Sequence, residues 1–243
     1  MSDREAVLLE RGFVLHHRPY RNSSLLVDCL TEGYGRIGLV AQGSRRTATG
    51  HRALLQPFLP LRLSWIRRGE LGRLTQVEAE SGPLALSGTA LLAGFYVNEL
   101  MLRLLQRGDR NEAIYSCYSS CVLELSARTR VSRSLRLFEL ALLEALGYGV
   151  ELGQDVHTGE PLRPDAAYVF EPEAGPTRRE ARAAEEQFSG RDLISLRDRV
   201  LDDPDSLRAA KRLLGGMLRT HLGERPLKSR EVMKEIYDGG FEP

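Results

Sequence analysis

The stretch SSLLVDCLTEGYGRIGLVAQ, residues 23–42, decides the class of fold. It contains two segments in which every second residue is apolar, separated by the turn sequence EGYG. The alternating apolar residues are Leu25, Val27, Cys29, Ile37, Leu39 and Ala41. A period of two is typical of half-buried strands, and glycine-rich tetrapeptides favour tight turns. The stretch therefore predicts two consecutive strands joined by a short connection.

Similar patterns on both sides of this pair extend the sheet. Gly12–Tyr20 precedes it as one further strand, and the residues from Leu59 to Trp65 alternate again. A turn at Gly69 to Gly72 then leads into Arg73–Glu80. Five short strands in about 70 residues, with one longer loop at Gly43–Leu54, predict a small β-barrel, and an OB-fold-like barrel is one of the options of that size.

The hydrophobic period becomes helical from Leu84 onward, so we place a domain boundary at Gly82-Pro83. The expected architecture is α+β, with an OB-fold nucleic-acid-binding domain at 1–82 and a mainly helical domain at 83–243. A loop with a hairpin near Tyr168 is expected within 148–176. Four residues are candidate helix starts by the capping preferences of serine, threonine and aspartate: Ser132, Thr177, Ser189 and Asp203.

Composition restricts the class of protein. The chain has 243 residues, of which 42% are hydrophobic and 28% are charged, as in ordinary globular proteins. Its apolar runs are shorter than a membrane span requires, and the charged start MSDREAVLLERG is unlike a secretory signal. Three cysteines do not make a disulfide framework. We therefore expect a cytoplasmic protein with reduced thiols.

Charge is the main indication of function. The net charge is +4 over residues 1–80 and −4 over residues 148–243. No acidic residue lies between Glu32 and Glu70, whereas seven arginines do: Arg36, Arg45, Arg46, Arg52, Arg62, Arg67 and Arg68. Such a field suits the phosphates of nucleic acid, with Tyr20, Tyr34 and Phe58 as candidates for base stacking. The alternative interpretation is a solubilising basic surface.

A second acid-free stretch runs from Ala127 to Phe138. Its four arginines are Arg128, Arg130, Arg133 and Arg136. Cations at the start of a helix oppose the helix dipole, so they are expected either to be solvated or to serve a ligand. Next to Leu137 and Leu140, they would suit an acidic peptide with an apolar end.

Motifs for catalysis and metal binding are weak. The sequence has neither a G-x-S-x-G elbow nor a phosphate-binding GxxxxGK[ST] loop. Cys117 and Cys121 share one helix face and could form half of a zinc site, although burial in a core is the favoured interpretation. We expect no catalytic residue, no metal and no cofactor; a zinc-dependent hydrolase that uses these cysteines and a histidine is the competing hypothesis.

Several segments, in this order, resemble the RecO family of bacterial DNA repair and recombination mediators. The segments are GFVLHHRPYRNSSLLVDCLTEGYGRIGLVAQGSRR at 12–46, LQPFLPLRL at 55–63, YVNEL at 96–100, RLFELALLEALGYG at 136–149, LRAAKR at 207–212 and PLKSRE at 226–231. The resemblance covers nearly the whole chain and implies an N-terminal OB-fold with a helical C-terminal domain.

The resemblance implies a non-enzymatic role near the nucleoid. Proteins of this family bind single- and double-stranded DNA, anneal complementary strands and, with RecR, help load RecA on strands coated by single-stranded-DNA-binding protein (SSB), whose acidic C-terminal tail they recognise. The candidate DNA-binding residues here are Arg18, Arg21, Arg36, Arg45, Arg46 and Arg52. The candidate residues for the SSB tail are Arg133, Arg136, Leu137, Leu140, Lys211 and Arg212. The alternative function is a protein-interaction scaffold whose barrel binds partner proteins rather than DNA.

One departure from the family pattern concerns the segment after LGYG. Some members carry a four-cysteine zinc module there, whereas residues 150–175 of this chain contain no cysteine. We therefore expect a zinc-free segment that is held by packing alone.

Overall fold

A computed structural model describes residues 5–43, 51–67, 69–149, 151–172, 174–179, 185–223 and 225–238. The chain divides into two compact units. One comprises the described residues of Met1–Thr129 and Pro226–Pro243, and the other those of Arg130–Arg225. The predicted division into 1–82 and 83–243 stays a prediction.

The first unit begins with a closed five-stranded barrel of order β1-β2-β3-β5-β4. The strands are β1 (Glu5–Tyr20), β2 (Ser24–Thr31), β3 (Gly35–Ala41), β4 (Leu61–Arg67) and β5 (Leu71–Ala79). Neighbours pair antiparallel except β3 and β5, and the pairing of β1 with β4 closes the barrel. The barrel agrees with the predicted OB-type fold.

Alternation along the strands fills the barrel interior. Leu25, Val27 and Cys29 of β2 are buried in one core with the alternating residues of β3. From β4, Leu61, Leu63 and Trp65 complete this core. Burial of each large apolar side chain contributes about 2 kcal/mol. Strand β2 is buried on both faces, so its outer face is not an open surface.

Helices complete the first unit: α1 (His51–Leu54), α2 (Gly88–Leu104), α3 (Glu112–Ala127) and α7 (Lys228–Asp238). Asn111 caps α3 by accepting a hydrogen bond from the backbone N–H of Ile114 at 3.2 Å. Residues 91–105 are apolar on nearly every side of a helix, which predicts a central buried helix, but Phe95 on α2 is 44% exposed. Helix α2 packs against β1, α3 and α7, which leaves part of its surface open.

The second unit combines helices with a small antiparallel sheet of order β7-β6-β8. Its elements are α4 (Val131–Ala145), β6 (Ala167–Glu171), β7 (Gly175–Thr177), β8 (Gln187–Ser189), α5 (Gly190–Arg197) and α6 (Pro204–Leu222). Strand β6 contains the hairpin residue Tyr168 that the sequence singles out.

Two of the four predicted helix starts are confirmed. Ser189 caps α5 by accepting from the N–H of Asp192, and Asp203 caps α6. The prediction for Ser132 is wrong because α4 begins at Val131, and Arg130, two residues before Ser132, occupies the capping position. The prediction for Thr177 is also wrong: it lies in β7, where it pairs with Val169, and sheet formation outweighs its capping preference.

The cysteine-free segment is organised by a buried carboxylate. Asp155 accepts hydrogen bonds from the backbone N–H groups of Arg178 at 2.6 Å, His157 at 2.9 Å and Thr158 at 3.0 Å. Burial favours the neutral acid, but these hydrogen bonds outweigh it and lower the pKa of Asp155. The expectation that packing alone holds this segment is therefore wrong, because hydrogen bonds to one ionised side chain join its two ends.

Within the part of the chain that the structure describes, no helix is both long and apolar enough to cross a membrane.

Candidate nucleic-acid interface

Two of the predicted DNA-binding arginines lie at the end of the β1–β2 hairpin. Tyr20 pairs with Ser24, and the chain reverses through a turn at residues 21–23. Arg18 and Arg21 are both exposed there. The Arg21 guanidinium lies 5.2 Å from the centroid of the half-buried Tyr20 ring, a cation–π distance. The hairpin end therefore presents cationic groups next to an aromatic ring.

A third predicted residue, Arg52 on α1, is exposed and close to the same strand. The pKa of His17 is lowered, first by burial and then by its electrostatic interactions with His16 and Arg52. His17 is consequently neutral at pH 7, and arginines carry the positive charge at this end. We name Arg18, Arg21 and Arg52 the barrel-end arginines. Within the described ranges, neither Arg18 nor Arg52 has a carboxylate partner.

The Arg36 side chain, which is also predicted to bind DNA, has its hydrogen-bond partners within the first unit. Its Nη2 donates to Asp28 Oδ1 at 3.1 Å, and its Nη1 donates to the carbonyl oxygens of Leu102 and Leu105 at 2.7 and 2.9 Å. Its side chain is only 16% exposed. Arg107 shares the same Asp28 oxygen at 2.9 Å. Arg36 thus fastens β3 to the C-terminal end of α2, where carbonyl groups attract cations.

The expectation that seven arginines between Glu32 and Glu70 are uncompensated is wrong for three of them. Besides Arg36, Arg62 pairs with Glu80 at 2.9 Å and Arg67 with Glu5 at 3.0 Å. Asp28 and Glu5 come from neighbouring strands, and Glu80 directly follows β5, so these arginines are neutralised by carboxylates that lie outside the acid-free stretch. The positions of Arg45, Arg46 and Arg68 lie outside the described residues.

The aromatic candidates differ in accessibility. Phe58 is buried and packs edge-to-face on Phe95, so the prediction that it stacks on a base is wrong. Tyr34 is half-buried, with Trp65 against its edge and the Arg110 guanidinium 4.8 Å from its centroid. Sequence reasoning missed Arg110, because a residue 76 positions away gives no local indication that it will lie over Tyr34.

The six residues predicted for the SSB tail all lie in the second unit but in unlike environments. Arg133 donates to the backbone carbonyls of Arg199 and Val200 at 2.7 and 2.8 Å. Arg136 is buried and pairs with Glu139 at 2.7 Å. Leu140 is buried and Leu137 is half-buried. On α6, Lys211 and Arg212 are exposed. The structure therefore gives Arg133 and Arg136 internal partners, and their tail-binding role stays a prediction.

The cysteines do not form a metal centre within the described ranges, where no group of three histidine, cysteine or acidic side chains is placed to bind a metal. Cys121 is buried, and Cys117 donates to the carbonyl of Ile114 at 3.2 Å. Burial raises the pKa of Cys117 to about 12, so its sulfur is protonated at neutral pH rather than a thiolate ligand. The environment favours the core interpretation.

Together, the barrel and its exposed arginines define a protein with an OB-type N-terminal fold and a mixed helical remainder. Two family models match this chain: "Recombination protein O N terminal" over residues 6–82 and "Recombination protein O C terminal" over residues 86–231. The chain belongs to the RecO family.

Curated relatives agree with this assignment. The chain is 41% identical over 233 residues to the DNA repair protein RecO of Methylococcus capsulatus, covering 96% of each chain. It is 45% identical over 232 residues to that of Nitrosococcus oceani, covering 95% of this chain and 94% of the relative. It is 40% identical over 229 residues to that of Haemophilus influenzae, covering 93% and 96%. Family membership gives the protein a role in DNA repair and recombination.

Proposed function

We propose that this protein is a non-enzymatic mediator that binds single- and double-stranded DNA and anneals complementary strands. With RecR, it helps to load RecA on single strands coated by SSB, in the cytoplasm at the nucleoid. Membership of the RecO family supports this proposal. The proposed activity invokes no cofactor.

The barrel-end arginines carry the DNA-binding part of the proposal. Arg18, Arg21 and Arg52 are exposed at one end of the barrel, and Tyr20 lies beside them. Arg36, Arg62 and Arg67 are instead paired with the carboxylates of Asp28, Glu80 and Glu5. Arginine binds phosphate through its planar set of donors, so these exposed arginines suit a nucleic-acid backbone.

Titration of a fluorescent single-stranded oligonucleotide across salt concentrations tests the proposal. Each phosphate that an arginine neutralises adds about 0.7 to 0.9 to the slope of log affinity against log salt. We expect affinity to fall steeply with salt, and the triple variant R18E/R21E/R52E to lose most of it. Arg191→Glu is a matched control, since Arg191 is exposed in the first turn of α5, where an acidic side chain is favourable. Affinity that is independent of salt and of the triple variant would contradict the proposal.

The second unit is proposed to bind the SSB tail through Arg133, Arg136, Leu137, Leu140, Lys211 and Arg212. Lys211 and Arg212 are two exposed cations on α6, and they allow a test that leaves the α4 partners intact. We expect K211E/R212E to weaken binding of an acidic tail peptide at least tenfold, while Arg191→Glu leaves it unchanged. Unchanged peptide affinity in both variants would move the tail site elsewhere.

An alternative function, protein binding by the barrel, is favoured by one observation. Leu8 on β1 is 77% exposed, and the adjoining Leu9 is also exposed with a φ of 51°. Exposed leucines held in a conformation unusual for leucine can mark a contact surface. The two functions differ in the titration above, because a scaffold predicts negligible DNA affinity. Replacing Leu8 with Ser would then weaken partner binding without affecting DNA.

A further inference from the structure

The second unit contains a cavity of about 730 Å³, and Arg212 is the one residue of the proposed tail site that lines it. It lies between the residues that follow α4, the strands β6 and β8, and the C-terminal half of α6. Its volume is within the range of about 300–1,000 Å³ that is typical of ligand sites. Its principal lining side chains are those of Tyr148, Phe170, Phe188, Met217, Arg219 and His221.

Glycine in α6 leaves the cavity open. Gly216 lines it, and a Cβ atom built on Gly216 would meet nothing closer than Arg219 Nη2 at 3.8 Å. A larger residue would therefore fit there without a backbone clash and would fill part of the space. Because glycine within a helix is less favourable than alanine, helix stability alone does not account for this residue. The absence of a side chain at Gly216 keeps the cavity open.

An aromatic pair forms one wall. The rings of Tyr148 and His221 are stacked, with centroids 3.6 Å apart and an interplanar angle of 11°. Tyr148 nevertheless remains 43% exposed. On the other side, Phe188 lies under the Arg212 guanidinium at 5.5 Å. Planar walls with cationic neighbours favour a flat aromatic ligand over an aliphatic one.

The charges around the cavity leave one cation available. Glu185 is held by Arg179 through bonds of 2.8 and 2.9 Å, and Glu186 lies 3.5 Å from Arg212. Arg219 lines the cavity and has no carboxylate partner within the described ranges. An anionic group of a ligand would therefore find its partner at Arg219.

We propose that this cavity binds one nucleotide unit of a single DNA strand. The base lies against the Tyr148–His221 pair, and the phosphate is bound by Arg219. This inference rests on the proposed function, in which single strands are the ligand, and it adds a second place for a strand on the other unit. Annealing requires that two strands be held, so a second site has a direct use.

A cavity-filling variant tests the proposal, with annealing and first-strand affinity measured separately. In Gly216→Leu we expect annealing of complementary oligonucleotides to slow about tenfold, the effect of losing one stacked base. Affinity for a single strand should stay within twofold, because the barrel-end arginines are intact. Arg219→Glu is the second variant in case Gly216→Leu fails to fold, and Arg191→Glu is the charge-matched control. Annealing at the unaltered rate in Arg219→Glu would overturn the proposal.

Photocrosslinking locates the ligand directly. An oligonucleotide that carries 5-iodouracil is expected to crosslink to Tyr148 or His221 in the unaltered protein, and not in Arg219→Glu. Excess thymidine monophosphate is added as a competitor. If it abolishes the crosslink but leaves annealing intact, the cavity binds free nucleotide only, and its role in annealing is overturned. An acidic peptide is the second competitor. If it abolishes the oligonucleotide crosslink while annealing is unaffected, the cavity is a peptide site instead. If the barrel-end triple variant also keeps full DNA affinity, the proposed function fails independently of this cavity.

Discussion

The hydroxyl group of Tyr118 donates a hydrogen bond of 2.7 Å to Oδ1 of Asn98, and both side chains are buried. Asn98 in turn donates from Nδ2 to the carbonyl oxygen of Leu15 at 2.9 Å. One amide therefore joins α3, α2 and β1, so that the barrel and the helices of the first unit share a polar connection inside an apolar core.

Replacing Tyr118 with Phe is expected to lower the free energy of unfolding by about 1–3 kcal/mol, because Oδ1 of Asn98 loses its donor while buried. Urea denaturation measures this change. Tyr115→Phe is the matched control: Tyr115 is also a buried tyrosine of α3, but no hydrogen bond from its hydroxyl to a described residue is present. Equal losses in the two variants would contradict a specific role for the Asn98 bond.

The YVNEL segment shows where prediction from sequence stops. Its helix and its apolar character are local properties, and the sequence predicts both. Its polar residues act at long range: Tyr96 accepts from Arg230, Asn98 bonds Leu15, and Glu99 caps α7. These partners lie 83 to 134 positions away. No pattern within a window of a few residues contains such contacts.

For the candidate site too, the partners of the barrel arginines could not be predicted from local sequence. Strand alternation predicts the barrel well, because side-chain period is fixed by the backbone. It does not predict that Glu5 will lie opposite Arg67, or that Asp28 will accept from Arg36. Net positive charge counted along a sequence therefore overestimates the charge that the folded barrel exposes. The described arginines that remain exposed in the predicted DNA-binding set are Arg18, Arg21 and Arg52.

Glu99 should make stability depend on pH. Partial burial raises the pKa of this carboxylate, but hydrogen bonds from Ser229 and Lys228 outweigh burial, and the net pKa lies below the ordinary 4.5. Its contribution is therefore full above about pH 4.5 and is lost as pH falls through the folded-state pKa. Glu99→Gln is expected to lose about 1 kcal/mol at pH 7, as capping substitutions do.

Thermal melting between pH 3 and 7 checks this expectation. The difference between Glu99→Gln and the unaltered protein should shrink at acid pH, whereas the exposed Glu124 on α3, changed to Gln, should show no such trend. A constant difference across this range would contradict the role of the ionised cap.

Alanine substitutions at Arg36 and Arg18 are expected to have different effects, the first on stability and the second on DNA binding. Arg36→Ala leaves the carbonyls of Leu102 and Leu105 without their donor and should cost about 2 kcal/mol in unfolding free energy, with DNA affinity unchanged in the folded protein. Arg18→Ala should leave stability within about 0.5 kcal/mol and lower the salt slope by about 1. Oligonucleotide titration and urea denaturation of both variants check the pair, and a large DNA defect in stable Arg36→Ala would reverse the assignment.

Asp155 is expected to hold the cysteine-free segment in place of a metal. Asp155→Ala leaves three backbone N–H groups without an acceptor and should cost about 3 kcal/mol, whereas Asp155→Asn keeps one acceptor oxygen and should cost less. Amide hydrogen exchange should accelerate at His157, Thr158 and Arg178 in Asp155→Ala. Unchanged protection at these three amides would show that packing suffices after all.

The buried pair in α4 determines how tail-binding experiments are interpreted. The Arg136 side chain is 8% exposed and that of Glu139 is fully buried. Breaking a buried ion pair by removing one of its members is strongly destabilising, so Arg136→Ala should cost about 3–5 kcal/mol of stability. A loss of tail-peptide affinity in that variant would therefore report unfolding as well as contact. The double variant R136M/E139L removes both charges and is expected to recover most of the stability. Peptide titration of this double variant, with melting temperature measured alongside, gives the answer: retained affinity assigns Arg136 to the core alone, and lost affinity in a stable protein assigns it to the peptide.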